Sequence, residues 1–180
     1  LEFNRLNSSC QILVQKVQND PIKQFIIGEL LIEGKNNFPK SINLGFMYIK
    51  QSIANNCIEA SIFYIKNLIN GKLIPQNLNE AQKRINEIRK LEDSHYHVLQ
   101  GKLYIKMNKK SLAAKIFKTG VKEGDSECMY LLGKMLFLGK GIKKNNSKSI
   151  KYLNKSKDLE FKKSRYFLKA LKIMKNINGF

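Results

Sequence analysis

CMYLLGKMLFLGKGIKKNNSKSIKYLNKSK, residues Cys128 to Lys157, decides the fold. Leu131, Leu132, Met135, Leu136 and Leu138 recur with a helical period, so the segment opens with a helix that has an apolar face. Gly139-Lys140-Gly141 then breaks the helix, and Ser147 is the expected N-cap of a second one. That second helix is expected to carry Ile150, Tyr152 and Leu153 inward. The unit is a helical hairpin.

The same pattern recurs along the chain. A small residue, an apolar residue, a Gly-like position and a helix break repeat in frames that open near Lys23, Ala60, Tyr96, Cys128 and Ser164, at spacings of 37, 36, 32 and 36. Gly28 and Gly34 match Gly133 and Gly139, while Ala60, Gly71 and Ala81 match Cys128, Gly139 and Ser149. The second frame has Ile65 at the Gly133 position. The third has Gly101 and Tyr104 but a loop shortened at Met107-Asn108. Such a period is the signature of a helical solenoid, because each hairpin hides its apolar face only by stacking on its neighbours.

Several of these residues resemble a known family. Leu132-Gly133, Gly139-Lys140-Gly141-Ile142, Ser149 and Tyr152-Leu153-Asn154-Lys155-Ser156 resemble the Leu-Gly, the Gly-x-Gly-Val loop, the Lys-Ala and the aromatic-rich Lys-Ala stretch of Sel-one-like repeats, relatives of the tetratricopeptide family. The resemblance runs from about Pro21 to the C-terminus, with one strong frame and the others degenerate. It implies an all-α fold, a right-handed α-α superhelix of about four to five antiparallel hairpins. A single array is expected: residues 1–20 as a preceding or capping helix, repeats near 23–59, 60–95, 96–127 and 128–163, and 164–180 as a terminal helix.

The resemblance also implies a function, that of a protein-interaction scaffold or adaptor. In the tetratricopeptide architecture the first helices of successive hairpins line a concave groove that holds peptides or folded partners. The residue just after the Gly-like position then faces the groove, which selects Glu29, Lys66, Lys102 and Lys134. Three lysines in register suit an acidic peptide or a C-terminal carboxylate. Phe25, Ile62, Tyr130 and Phe137 are the neighbouring groove residues by the same registration, with a role in the core as the alternative.

Charge points the same way. The chain has 33 basic and 14 acidic residues, a net of +19. From Cys128 onward there are 14 Lys or Arg against only Asp158 and Glu160, and Lys143, Lys144, Lys148, Lys151 and Lys155 form a basic surface there. Such a field attracts acidic proteins, nucleic acid or anionic lipid. The competing explanation is compositional: 29 of the 33 basic residues are Lys, in a chain also rich in Asn and Ile, as AT-rich codons would give. The alternative function is RNA binding by a helical array related to pentatricopeptide repeats; no regular pair of base-reading polar positions supports it.

In chain order, Arg5 to Gln18 is expected to be a helix with Cys10, Leu13, Val14 and Val17 as its stripe, capped by Asn7 or Ser8. Ile22–Glu33 and Ser41–Ile53 follow, around the loop Gly34 to Pro39. Ile58–Asn70 and Asn79–Leu91 form the second pair, the latter packing through Ala81, Ile85 and Ile88. Ser94 is the expected cap of a helix to Lys106, and its return, through Val121, packs Leu112, Ala113, Ile116 and Phe117. Phe161–Ile177 ends the chain as a helix without a visible partner, striped by Phe167, Leu171 and Met174.

No catalytic constellation is readable, so an enzyme is not expected, and neither a metal nor a cofactor is. His95 and His97 are two apart and fall on different helix faces. Gly139-Lys140-Gly141 follows a helix and lacks the Gly-x-x-x-x-Gly-Lys-Ser/Thr run of a phosphate loop. Cys10, Cys57 and Cys128 have no Cys-x-x-Cys spacing, which favours packing roles and a reducing, intracellular compartment. No membrane span or signal peptide is readable. The chain opens at Leu1, so it is expected to be part of a longer protein that holds other segments, a catalytic domain among the options.

Overall fold

The computed structural model describes residues 8–17, 20–91 and 93–178, with side chains at 10–12, 15–17, 20–91 and 93–174. The expected cap Asn7 and the side chains of Leu13 and Val14 lie outside the described residues. Within them the chain is entirely helical: α1 (Ser8–Lys16), α2 (Pro21–Glu33), α3 (Ile42–Ala54), α4 (Ile58–Asn70), α5 (Leu78–Lys90), α6 (Tyr96–Lys106), α7 (Lys110–Lys122), α8 (Ser126–Leu138), α9 (Asn146–Asp158) and α10 (Lys162–Asn178). The return helices α3, α5, α7 and α9 start 36, 32 and 36 residues apart. The short step falls at the Met107-Asn108 loop. Contacts divide the chain into two compact units, Leu1–Glu80 and Ala81–Phe180.

In the first unit, the Asp20 carboxylate accepts the Lys23 N–H and Pro21 opens α2, where a missing N–H costs nothing. Gly34 closes the helix at φ 70°, a left-handed backbone that glycine adopts without strain. Ser41 caps α3 by accepting the Leu44 N–H. The two helices cross at Gly28 and Gly45 so closely that a β-carbon on Gly45 would lie 2.7 Å from the Gly28 carbonyl oxygen. One side of this hairpin buries Ile27, Leu31, Leu44 and Tyr48 with Cys10, Val17 and Phe38. The other buries Ile32, Phe46 and Ile49 with Cys57 and Ala60 of the next repeat.

The second unit repeats the device with different atoms. Gly101 of α6 receives the ring of Phe117 from α7, and Gly133 of α8 receives Leu153 from α9. Ser149 donates to the Gly133 carbonyl at 2.8 Å. Ser156 donates to the carbonyl of Ser126, the first residue of α8, at 2.6 Å; in the first unit Ser52 does the same to Pro21, the first residue of α2, at 2.6 Å. Gln82 of α5 and Gln100 of α6 exchange amide hydrogen bonds of 2.9 and 3.0 Å, and Ala81, Ile85 and Ile88 are buried as expected.

Some local expectations need correction. Asn145, not Ser147, caps α9, its side chain accepting the Lys148 N–H at 2.8 Å. The N-cap position of α6 is His95, not Ser94: the Asp93 carboxylate accepts the His95 N–H and the helix starts at Tyr96. Ile150, Leu138 and Leu112 are exposed. In α9 the buried line is Ser149, Leu153 and Ser156, at spacings of four and three. Small hydroxyls take the tight contact with α8, and Ile150 falls one residue, about 100°, off that line.

Candidate partner-binding surface

Consecutive first helices adjoin within each unit, α2 with α4 and α6 with α8. In the first unit the contact is aromatic. Phe25 of α2 meets Phe63 of α4 edge-on at 5.8 Å between centroids, Phe46 lies 6.1 Å from both Phe63 and Tyr64, and Lys50 sits over the Tyr64 ring. Phe25 is half-buried by this packing, and Ile62, expected at the groove, is buried. Lys66 is exposed on α4. Glu29, at the equivalent position of α2, is half-buried, and burial, with Glu33 as a smaller influence, raises its carboxyl above the usual range.

In the second unit Lys102 of α6 reaches Glu127 in the first turn of α8 at 2.6 Å, with both side chains partly shielded. The pair ties one first helix to the next. Lys134 is exposed on α8, between Tyr130 and Phe137. Those two rings are partly covered by the end of the chain: Tyr130 lies 5.4 Å from Phe161 and 6.2 Å from Phe167, and Phe137 lies 6.0 Å from Phe167. Helix α10 thus takes the place of a further first helix against α8. Burial, with Glu127 as a smaller influence, raises the Tyr130 phenol.

Sequence reasoning passed over Glu127. A single acid in a first helical turn reads as a partner for the helix dipole, and only the stacking of α8 on α6 brings it to Lys102. The charge is unequally shared between the units. Ala81–Phe180 holds 25 of the basic and 8 of the acidic residues, a net of +17, which leaves +2 for Leu1–Glu80. Lys143, Lys144, Lys148, Lys151 and Lys155 are all exposed on α9 and the loop before it.

Cys10, Cys57 and Cys128 are buried, and the Cys10 thiol donates to the Asn37 carbonyl at 3.5 Å. Burial, followed by the charge of Asp125, pushes the Cys128 thiol far above its ordinary value of 9.0. Among the described residues no cluster of three or more His, Cys, Asp or Glu is placed to hold a metal ion. His95 pairs with Asp93 at 2.9 Å and His97 with Glu123 at 3.1 Å, on separate carboxylates. Among the described residues no helix is long and apolar enough to cross a membrane.

Helical hairpins whose first helices adjoin define a class, the α-helical repeat proteins. Within it the chain has the Sel1-like repeat (SLR) fold and carries a Sel1 repeat: the Sel1 repeat family model matches residues 126–161, which span α8 and α9. A Sel1 repeat protein from Oxalobacter formigenes superposes with a TM-score of 0.66 at 20% identity, over 93% of this chain and 72% of that one. A protective antigen present in uropathogenic Escherichia coli strains, described as displaying an SLR fold, gives 0.67 at 17% identity over 88% of this chain. The chain spans about a third of that antigen's length, 35%. Comparison with curated protein sequences finds no match.

Proposed function

We propose that this chain is a protein-interaction scaffold whose first helices present a lysine-bearing surface to an acidic peptide or protein. Sel1-like repeats in general serve as protein–protein interaction scaffolds. The observation that carries the acidic partner is the net +17 of Ala81–Phe180 against +2 for the rest. A codon bias would spread lysine along the chain; the observed division follows the structural units.

Lys134 is exposed beside Tyr130 and Phe137, whose rings provide an apolar shoulder. Lys102 holds Glu127 in the absence of a partner, and a partner's carboxylate would exchange with it at little cost, since partly exposed pairs are worth about 0.2–1 kcal/mol. Lys66 is the equivalent position in the first unit.

Changing Lys66, Lys102 and Lys134 together to Glu tests this in a pull-down from source-cell lysate, with and without nuclease. A defined protein partner that survives nuclease and disappears with the triple change is the expected result. Recovery of mostly nucleic acid, or of a partner indifferent to the three lysines, rules the surface out.

A further inference from the structure

A second surface of the Ala81–Phe180 unit has the features of a binding site in its own right. Between α7, α8 and the start of α9 lies a cleft of about 410 Å³. Its floor is apolar: Leu132 and Leu136 are buried core residues, and Ile142 and Tyr152 are half-exposed against them. Its rim is cationic. Lys118 comes from α7, Lys143 and Lys144 from the loop, and Lys148 from the first turn of α9, so four lysines line one cleft. Among the described residues none of the four pairs with a carboxylate; Lys144 lies over the ring of Phe137 at 5.9 Å.

We infer that this cleft is a second docking site, and that its occupant is an acidic segment of a partner protein with an apolar side chain at its centre. The apolar residue would sit on Leu136 and Ile142, and the flanking carboxylates would neutralise Lys118, Lys143 and Lys148. Charge complementarity selects an anion, since an unneutralised cationic rim is a cost that an acidic ligand removes. The floor selects the kind of anion. A nucleic-acid backbone has no apolar group to set on two leucines and an isoleucine, whereas a Leu or Phe flanked by Asp or Glu has both parts. Lys66, Lys102 and Lys134 are not among its lining residues, and the inference does not rest on them.

Fluorescence anisotropy on the full chain decides the matter, with three labelled probes: a peptide with a central leucine between runs of aspartate, the same peptide with serine at the centre, and a single-stranded uridine oligomer. The leucine peptide is expected to bind about tenfold tighter than the serine one, the step that one buried side chain supplies. Lys143→Glu with Lys148→Glu should weaken it at least about tenfold. Lys162→Glu with Lys169→Glu, exposed α10 residues outside the cleft and an equal change in net charge, should shift it less than about twofold. Equal losses from the two pairs, equal affinity for the two peptides, or tighter binding of the uridine oligomer would each overturn the site.

Discussion

At the scale of single residues, buried hydroxyls stand where a repeat protein more often shows apolar contacts. Ser156 donates to the Ser126 carbonyl and itself accepts from Ser164 at 2.6 Å, with both serines fully buried. Ser156→Ala removes both hydrogen bonds and takes from the buried Ser164 hydroxyl its acceptor, and is expected to cost about 1–3 kcal/mol, read as a lower urea midpoint. Ser52→Ala should behave alike through Pro21. Cys128 makes a different prediction. Its thiol is raised in the folded chain, so above about 9.0 the unfolded chain loses a proton that the folded chain keeps, and stability contributed below that pH is lost as pH rises. Thermal melts at about pH 7 and about pH 10 should differ less for Cys128→Ala than for the wild type. Neither device was legible in the sequence, where Ser149 and Ser156 read as substitutes for alanine. Hydroxyl partners come from helices 16 and 30 residues away.

Among elements, three of the four hairpins were readable because their first helices end on a signal with a physical cause: Gly34, Gly71 and Gly139 all hold left-handed backbone at a helix C-terminus, whereas α6 ends at Met107 and leaves the left-handed position to Asn108. The gap was α10, which showed no partner in the sequence. It packs on α9, where Ser164 donates to Ser156, and against rings on α8, and neither a buried hydroxyl pair nor an aromatic pair leaves a periodic trace. Phe167→Ala removes both the Tyr130 and the Phe137 contact, and should destabilise the chain by about 1–3 kcal/mol while raising tyrosine exposure in a quenching experiment. Met174, expected on the same stripe, is exposed, so its truncation should change the urea midpoint little. Gly28→Ala, which would push a β-carbon to 2.9 Å from the Gly45 carbonyl oxygen, should cost about as much as overpacking elsewhere, about 1–3 kcal/mol.

For the whole molecule, the helical-repeat class followed from Gly and apolar spacing, and the excess of base was visible as a number. What composition could not show is where the units divide, and so that one carries a net +17. Ile62 is buried while Lys134, placed by the same registration, is exposed. The most direct test puts a photo-crosslinking side chain at Lys134 in one variant and at Lys115, exposed on the return helix α7, in another, and irradiates each in source-cell lysate. A defined protein adduct at position 134 that is absent at 115 is the predicted result. Adducts to nucleic acid, or the same proteins at both positions, would contradict a scaffold that binds its partner through its first helices.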